Sequence, residues 1–188
     1  DRLAPLVVAR GFGSFLDYYY FLKYDPAGEG EWAQVLDALS VAETYFWREI
    51  DQLQAITQVI VPDLIRRKKH ARIWCVPCAT GEEPLTLAML LDRQGLFDRG
   101  SVEIRASDGS EAALARARAG VYRERAFRAL PQHLLDGYFT AVDGRWRIDP
   151  RVHRRVVSWD RVNLMDDDQV RRRAAVDVIL CRNVFIYF

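Results

Sequence analysis

Histidine, methionine and cysteine are scarce, with three, two and three of them in 188 residues. His70, His133 and His153 are scattered without ligand spacing, so surface or packing roles are expected for them and no metal site is. The cysteines are odd in number, with Cys75 and Cys78 close together, which excludes a disulfide scaffold and fits a reducing cytoplasm. A net field is missing too. Twenty-seven Lys and Arg nearly cancel 26 Asp and Glu, so no global charge drives the chain to nucleic acid or a membrane surface. No apolar run approaches the ~18–20 residues that span a bilayer. Signal-peptide patterns, internal repeats and low-complexity tracts are also absent.

What is present is globular in composition, 50% hydrophobic and 28% charged. That is enough for one good core and a small satellite lobe. The chain begins at Asp1 rather than Met and stops in the apolar run Val184-Phe185-Ile186-Tyr187-Phe188. A domain rarely ends this way, so a truncated chain is expected.

Residues 1–70 read as a helical segment. Phe12, Phe15, Leu16, Tyr19 and Tyr20 recur at helical spacing before Asp25-Pro26-Ala27-Gly28 breaks the run. Trp32, Val35, Leu36 and Leu39 make a second stripe, Ser40 and Glu43 fit a capping box, and Ile50, Leu53, Ile56 and Ile60 make a third face that Pro62 interrupts. The basic run Arg66-Arg67-Lys68-Lys69 suits a solvated helix end.

From residue 71 strands and helices alternate, the pattern of a doubly wound α/β domain. Strands are expected at Ile73–Val76 and Val102–Ser107, with a helix from Pro84 to Leu96 between them. Ser110 can cap a further helix that stops at Gly120, and a short helix follows Pro131. Tyr138–Phe139, Trp146–Ile148 and Val156–Trp159 predict a small antiparallel insert over about 138–159. Asp166 to Arg173 places acids first and bases last along another helix, and Val176–Leu180 reads as a buried parallel strand.

The stretch Trp74–Pro84, W-C-V-P-C-A-T-G-E-E-P, supports two readings. Cys75 and Cys78 form a C-x-x-C of thioredoxin type. The second half has the look of a methyltransferase cofactor loop. Ligands of open α/β sheets sit beyond the carboxyl ends of the strands. The residues expected there are Thr80, Gly81, Glu82 and Glu83, then Asp108, Asn163, Arg182 and Asn183. An acid ending the second strand suits a ribose diol. A pyrophosphate would need G-x-G-x-x-G, and only Gly81 is present. Two carboxylates at a helix start also repel phosphate and suit a cationic nucleoside; S-adenosylmethionine meets both conditions.

C-A-T-G-E-E-P (78–84), A-S-D (106–108), A-R-A-G-V-Y (117–122), N-L (163–164), C-R-N-V-F-I-Y-F (181–188) and E-T-Y-F-W-R-E (43–49) together resemble the CheR-type chemotaxis methyltransferases. The resemblance covers roughly residues 10 to 188. It implies a class I, Rossmann-like methyltransferase sheet of which only about four strands are present. It also implies methyl transfer from S-adenosylmethionine to glutamate side chains in the cytoplasmic domain of methyl-accepting chemoreceptors, with the β-insert facing the receptor. Thr44 and Arg48 would meet the methionine end of the cofactor, and Glu83 its ammonium. Ala79, Thr80 and Gly81 would line the loop, Asp108 hold the ribose, Asn163 and Leu164 the adenine side, and Arg182 and Asn183 the methionine–ribose region. Arg48 and Tyr187 would lie nearest the transferred methyl.

Some positions depart from the family pattern. Ala42 replaces an asparagine, Pro77 a small residue, and Gly109 an aliphatic one. The Phe139–Ile148 segment is short, as in members that do not need the receptor's C-terminal pentapeptide. An early stop would leave a sheet edge for another chain to pair with. Two other readings stand beside the enzyme at this stage: a cofactor-binding or scaffold module without turnover, and a dithiol protein using Cys75 and Cys78.

Overall fold

The computed structural model describes residues 2–39 and 43–184. The expected capping box at Ser40, the substitution at Ala42 and the role of Tyr187 lie outside the described residues.

Three helices come first: α1 (Ala4–Ala9), α2 (Phe15–Tyr24) and α3 (Trp32–Leu39). They close on a small core of Val7, Tyr18, Leu22 and Val35. The buried face of α2 is therefore the Tyr18–Leu22 side. Phe15, Leu16, Tyr19 and Tyr20, expected inward from their spacing, are exposed, as are Trp32, Leu36 and Leu39 of α3. What turns α2 this way is a buried acid, Glu31. It accepts hydrogen bonds from the Tyr18 hydroxyl at 3.1 Å and Gln34 Nε2 at 3.1 Å, and pairs with Arg10. A carboxylate in an apolar setting persists only when its lone pairs are satisfied, and Tyr18 must point inward to do that.

Helices α4 (Ile50–Ala55) and α5 (Val61–Lys68) are joined by a π-helical turn, Ile56–Ile60. Pro62 thus sits inside a continuous helical run rather than ending it. The wider turn spares the chain the clash and lost hydrogen bond that proline brings to a regular helix. It also slips the buried face by one residue: Val61 is fully buried and Ile60 exposed. Lys69, left-handed at φ 63°, ends the run. The basic cluster is a helix end in which Arg66 and Arg67 pair with Asp63, and Lys68 with Asp177.

Then come β1 (His70–Cys75), α6 (Glu82–Arg93), α7 (Leu96–Arg99), β2 (Ser101–Asp108), α8 (Glu111–Ala119) and β3 (Val121–Tyr122). After these follow α9 (Gln132–Tyr138), β4 (Phe139–Val142), β5 (Arg145–Ile148), α10 (Pro150–His153), β6 (Val156–Arg161), α11 (Asp167–Arg173) and β7 (Val178–Leu180). Among the described residues the strands form a four-stranded sheet in the order β6-β2-β1-β7 and a three-stranded sheet in the order β3-β5-β4. All pairings of the larger sheet are parallel. Its two inner strands are buried on both faces only toward their carboxyl ends, where parallel sheets take their packing. Nearer the start, Arg72 of β1 and Glu103 and Arg105 of β2 stay partly exposed. Ile73, Cys75, Ile104 and Ala106 face the helices on one side, and Trp74 and Val76 pack against Val162 on the other.

Two expectations about strands need correction. Val156–Trp159 does not belong to the antiparallel insert; it runs parallel to β2, with Ala106 opposite Trp159. The third strand of the insert is instead the two-residue β3, paired with Trp146 and Arg147. And β7 is an edge strand among the described residues, with Ile179 48% exposed, not a strand buried on both faces. Asp177 secures its start by accepting from the Arg72 backbone N–H at 2.8 Å and from Lys68 Nζ at 2.9 Å.

Candidate functional site

The order β6-β2-β1-β7 means the chain moves outward from β1 on one side and returns on the other. The switch point lies between the carboxyl ends of β1 and β7, where open α/β sheets take ligands. There the turn 76–81 faces Cys181, Arg182 and Asn183.

The turn is built from small residues under strict constraint. Gly81 has φ 94° and caps α6; a Cβ there would stand 3.0 Å from Ala117 Cβ and 3.1 Å from the Trp159 ring. Only glycine meets both demands without strain. Ala79 is left-handed at φ 47°. Its N–H donates to Asp108 Oδ2 at 2.8 Å, while Asp108 Oδ1 accepts from the Ser110 N–H at 2.9 Å. Asp108 thus ties the first loop to the end of β2, and burial raises its pKa against those N–H donors. The Tyr122 hydroxyl donates to the Thr80 carbonyl at 3.0 Å, and the Thr80 hydroxyl to Glu82 at 2.7 Å.

Opposite the turn, the segment 43–49 is pinned in the middle by Phe46. That ring is fully buried, 4.8 Å from Tyr122, 5.3 Å from Phe127 and 5.0 Å from Phe139, and the Phe46 N–H donates to the Ala126 carbonyl at 2.9 Å. Thr44 is partly buried beside it. The Arg48 guanidinium donates to the Glu43 carbonyl at 2.7 Å, 3.5 Å from Glu49, and stays partly exposed.

Arg182 joins the two sides. One guanidinium nitrogen donates to Glu83 Oε2 at 2.9 Å; the other donates to the Arg48 carbonyl at 3.0 Å and to Glu49 Oε2 at 3.2 Å. The amide of Asn183 donates to Glu49 Oε1 at 3.2 Å. Among the described residues, two buried atoms here have no partner: Glu83 Oε1 and Arg182 Nε. Burial lifts the Glu83 carboxyl to about 7, with Arg182 pulling the other way. The cluster can therefore take one hydrogen-bond donor, preferably cationic, and one acceptor, preferably anionic. That is the complement of a zwitterionic amino-acid end.

The structure thus brings together Arg48, Ala79, Thr80, Gly81, Glu83, Arg182 and Asn183, with Asp108 behind the loop. Asn163 and Leu164 stand further along the sheet edge. Asn163 Oδ1 accepts from the Met165 N–H at 3.0 Å, and Leu164 packs against the cluster of Trp74, Val76 and Val162. A cavity of about 330 Å³ between α11 and the other face of the sheet, lined by Trp74, Arg105, Ser158 and Arg173 among others, includes none of the expected site residues.

Sequence reasoning overlooked Glu49, Tyr122 and Trp159. Glu49 adjoins Arg48 in a segment already singled out, so its proximity was available; its partners were not. Cys75 and Cys78 are fully buried free thiols, and burial pushes both well above the usual thiol range, with Glu83 and Asp108 adding to it. A redox dithiol needs the opposite environment.

Residues 42–188 match the family of the CheR methyltransferase, SAM binding domain. The chain belongs to the CheR methyltransferase family. S-adenosylmethionine is the cofactor of the domain it matches, and the unpartnered Glu83 and Arg182 atoms fit that cofactor's amino-acid end. The similarity reaches beyond the matched domain. Over its whole length the chain is 36% identical to chemotaxis protein methyltransferase 2 of Vibrio cholerae, covering 66% of that protein. It is 32% identical to chemotaxis protein methyltransferases of Borreliella burgdorferi and Pseudomonas aeruginosa, covering 68% and 70% of them. This CheR-family chain thus spans about two thirds of the length of those relatives, and the α/β sheet described above is the fold of a class I methyltransferase. Among the described residues no helix is long and apolar enough to cross a membrane.

Proposed function

We propose that the chain is the cofactor-binding and acceptor-orienting part of an S-adenosylmethionine-dependent protein-glutamate O-methyltransferase. Its substrates are glutamates in the cytoplasmic domains of methyl-accepting chemoreceptors, and it works in the cytoplasm. Residues 1–70 form a helical segment and 71–188 the α/β domain, the antiparallel sheet being the part offered to the receptor. The observation that carries this reading is a pair of buried atoms without partners among the described residues, Glu83 Oε1 and Arg182 Nε, at the switch point of a parallel sheet.

In this reading Glu83 accepts from the cofactor's ammonium, while Thr44, Arg48, Arg182 and Asn183 surround its methionine and ribose. Ala79, Thr80 and Gly81 form the wall, and Asp108 offers its remaining lone pairs to the ribose. Asn163 and Leu164 border the adenine. Arg48 and Tyr187 stand nearest the methyl. When bound, S-adenosylmethionine supplies an electrophilic methyl group and leaves as a neutral thioether. A glutamate acceptor with a pKa of about 4.3 is already ionised at neutral pH, so the chain need supply no base. Its task is alignment and exclusion of water. The Arg48 guanidinium keeps the incoming carboxylate anionic and oriented.

The test is transfer of labelled methyl from S-adenosylmethionine to receptor cytoplasmic fragments as base-labile ester. The reading predicts labelling. Binding of S-adenosylhomocysteine without any labelling supports a binding module instead, and an Arg48→Ala variant with full turnover overturns the role given to Arg48. The edge of β7, with Ile179 half exposed, supports pairing with a further strand from this or another chain.

A further inference from the structure

We propose that Glu49 is a positioning residue, a latch that fastens the segment carrying Thr44 and Arg48 to the end of β7 through Arg182 and Asn183. This rests on the reading above, in which that segment and the strand end flank the cofactor.

The geometry around Glu49 is costly to maintain and specific in what it achieves. Trp47 and Glu49 both adopt left-handed backbone, φ 72° and 47°, and Asn183 does so across the gap at φ 55°. Left-handed backbone is sterically disfavoured for a non-glycine residue, and such residues gather where the surroundings over-determine them. The reversal turns the Arg48 carbonyl toward Arg182, which donates to it at 3.0 Å. It also places the Glu49 carboxylate across two donors, with Oε1 on Asn183 and Oε2 on Arg182, each at 3.2 Å. Phe46 anchors the middle of the segment in the aromatic core. Among the described residues, losing the Glu49 carboxylate would leave the Arg48 and Glu49 backbone carbonyls to hold its far end to β7 through Arg182. Arg182 is 9% exposed at its side chain and shared between Glu49 and Glu83. Losing Glu49 therefore loosens the segment and hands Arg182 more fully to Glu83.

This gives the latch a signature that a purely structural contact lacks. Among the described residues, the charged and titratable groups that face Glu83 are Arg182 from the end of β7, Glu49 and Arg48 from the segment before α4, and the thiols of Cys75, Cys78 and Cys181. Glu49 raises the Glu83 pKa and Arg182 lowers it. Removing the Glu49 charge must shift the ionisation of Glu83 to lower pH.

The experiment is calorimetric titration of S-adenosylhomocysteine into the full chain and its Glu49→Ala and Glu49→Gln variants, from pH 5.5 to 8.5. Glu49→Ala should weaken binding about tenfold, the loss of one charge-assisted contact. Glu49→Gln should recover part of that loss by keeping one hydrogen bond. In both variants the fall of affinity on acidification should begin at lower pH than in the unchanged chain. Variants that bind with unchanged affinity and an unchanged acid limb overturn the latch and leave the cofactor reading intact. An unchanged chain that fails to bind overturns both.

Discussion

Arg182 and Glu83 are joined by one hydrogen bond of 2.9 Å, yet each keeps a buried polar atom without a partner among the described residues. A pair that existed only for stability would be expected to satisfy both ends, because an unpaired buried donor or acceptor costs about 1–3 kcal/mol. Here the unsatisfied donor and acceptor lie at the switch point of the sheet, and the account of cofactor binding rests on them.

Replacing Glu83 by Gln removes the charge that would meet the ammonium and leaves Arg182 dependent on Glu49. Charge-assisted hydrogen bonds contribute about 1.5–3 kcal/mol, so affinity for S-adenosylhomocysteine should fall about 10- to 150-fold. The fold should persist, since a neutral side chain of the same shape avoids the cost of burying a carboxylate. Calorimetry and a melting curve on the same sample check both parts.

Binding should also depend on pH in a definite direction. The Glu83 carboxyl, raised to about 7 in the free chain, must ionise to hold a cation. Affinity should be full above about pH 8 and fall roughly tenfold per pH unit well below 7. In the ligand-free chain the sign for stability is the reverse. Between the unfolded value of 4.5 and about 7 the folded state retains a proton that the unfolded chain has released, so this group costs stability as pH rises through that window. The thermal shift given by S-adenosylhomocysteine should accordingly be larger at pH 8 than at pH 6.

Gly81→Ala should damage fold and site together. A Cβ at φ 94° costs about 1–2 kcal/mol, and it would meet Ala117 and Trp159 at 3.0 and 3.1 Å. For a chain of this size each kcal/mol lowers the midpoint by about 2–4 °C, so a drop of several degrees is expected, with weakened cofactor binding.

Thiol alkylation separates the redox reading from the present one. Cys75 and Cys78 are buried with raised pKa values, whereas Cys181 is partly accessible. Under native conditions Cys181 should react first, and Cys75 and Cys78 only on unfolding. Rapid reaction at Cys75 or Cys78 in the folded chain would contradict their role as packing residues.

Much of this architecture was legible because it is encoded locally. Ser110 caps α8 and Gly120 ends it in left-handed backbone, as expected. Asp166 caps a helix whose last turn is basic. Asp108 closes the second strand. What escaped was non-local. The alternation in Val156–Trp159 marks a strand, but nothing within it says whether β2 or β5 is its neighbour. Likewise the stripe of Phe15, Leu16, Tyr19 and Tyr20 satisfies helical period, yet the choice of buried face was made by Glu31, which needs Tyr18. Glu49 escaped for the same reason: its partners lie 133 and 134 residues away in sequence.

The central claim is that Glu83 and Arg182 hold the amino-acid end of S-adenosylmethionine or its product. Its most direct test is calorimetric titration at pH 8 of two ligands, S-adenosylhomocysteine and 5′-methylthioadenosine, which keeps the nucleoside and thioether but lacks the amino-acid end. The account predicts that the unchanged chain binds S-adenosylhomocysteine much more tightly, and that Glu83→Gln removes most of that advantage while leaving the weaker ligand almost unaffected. Equal affinity for the two ligands in the unchanged chain would contradict it.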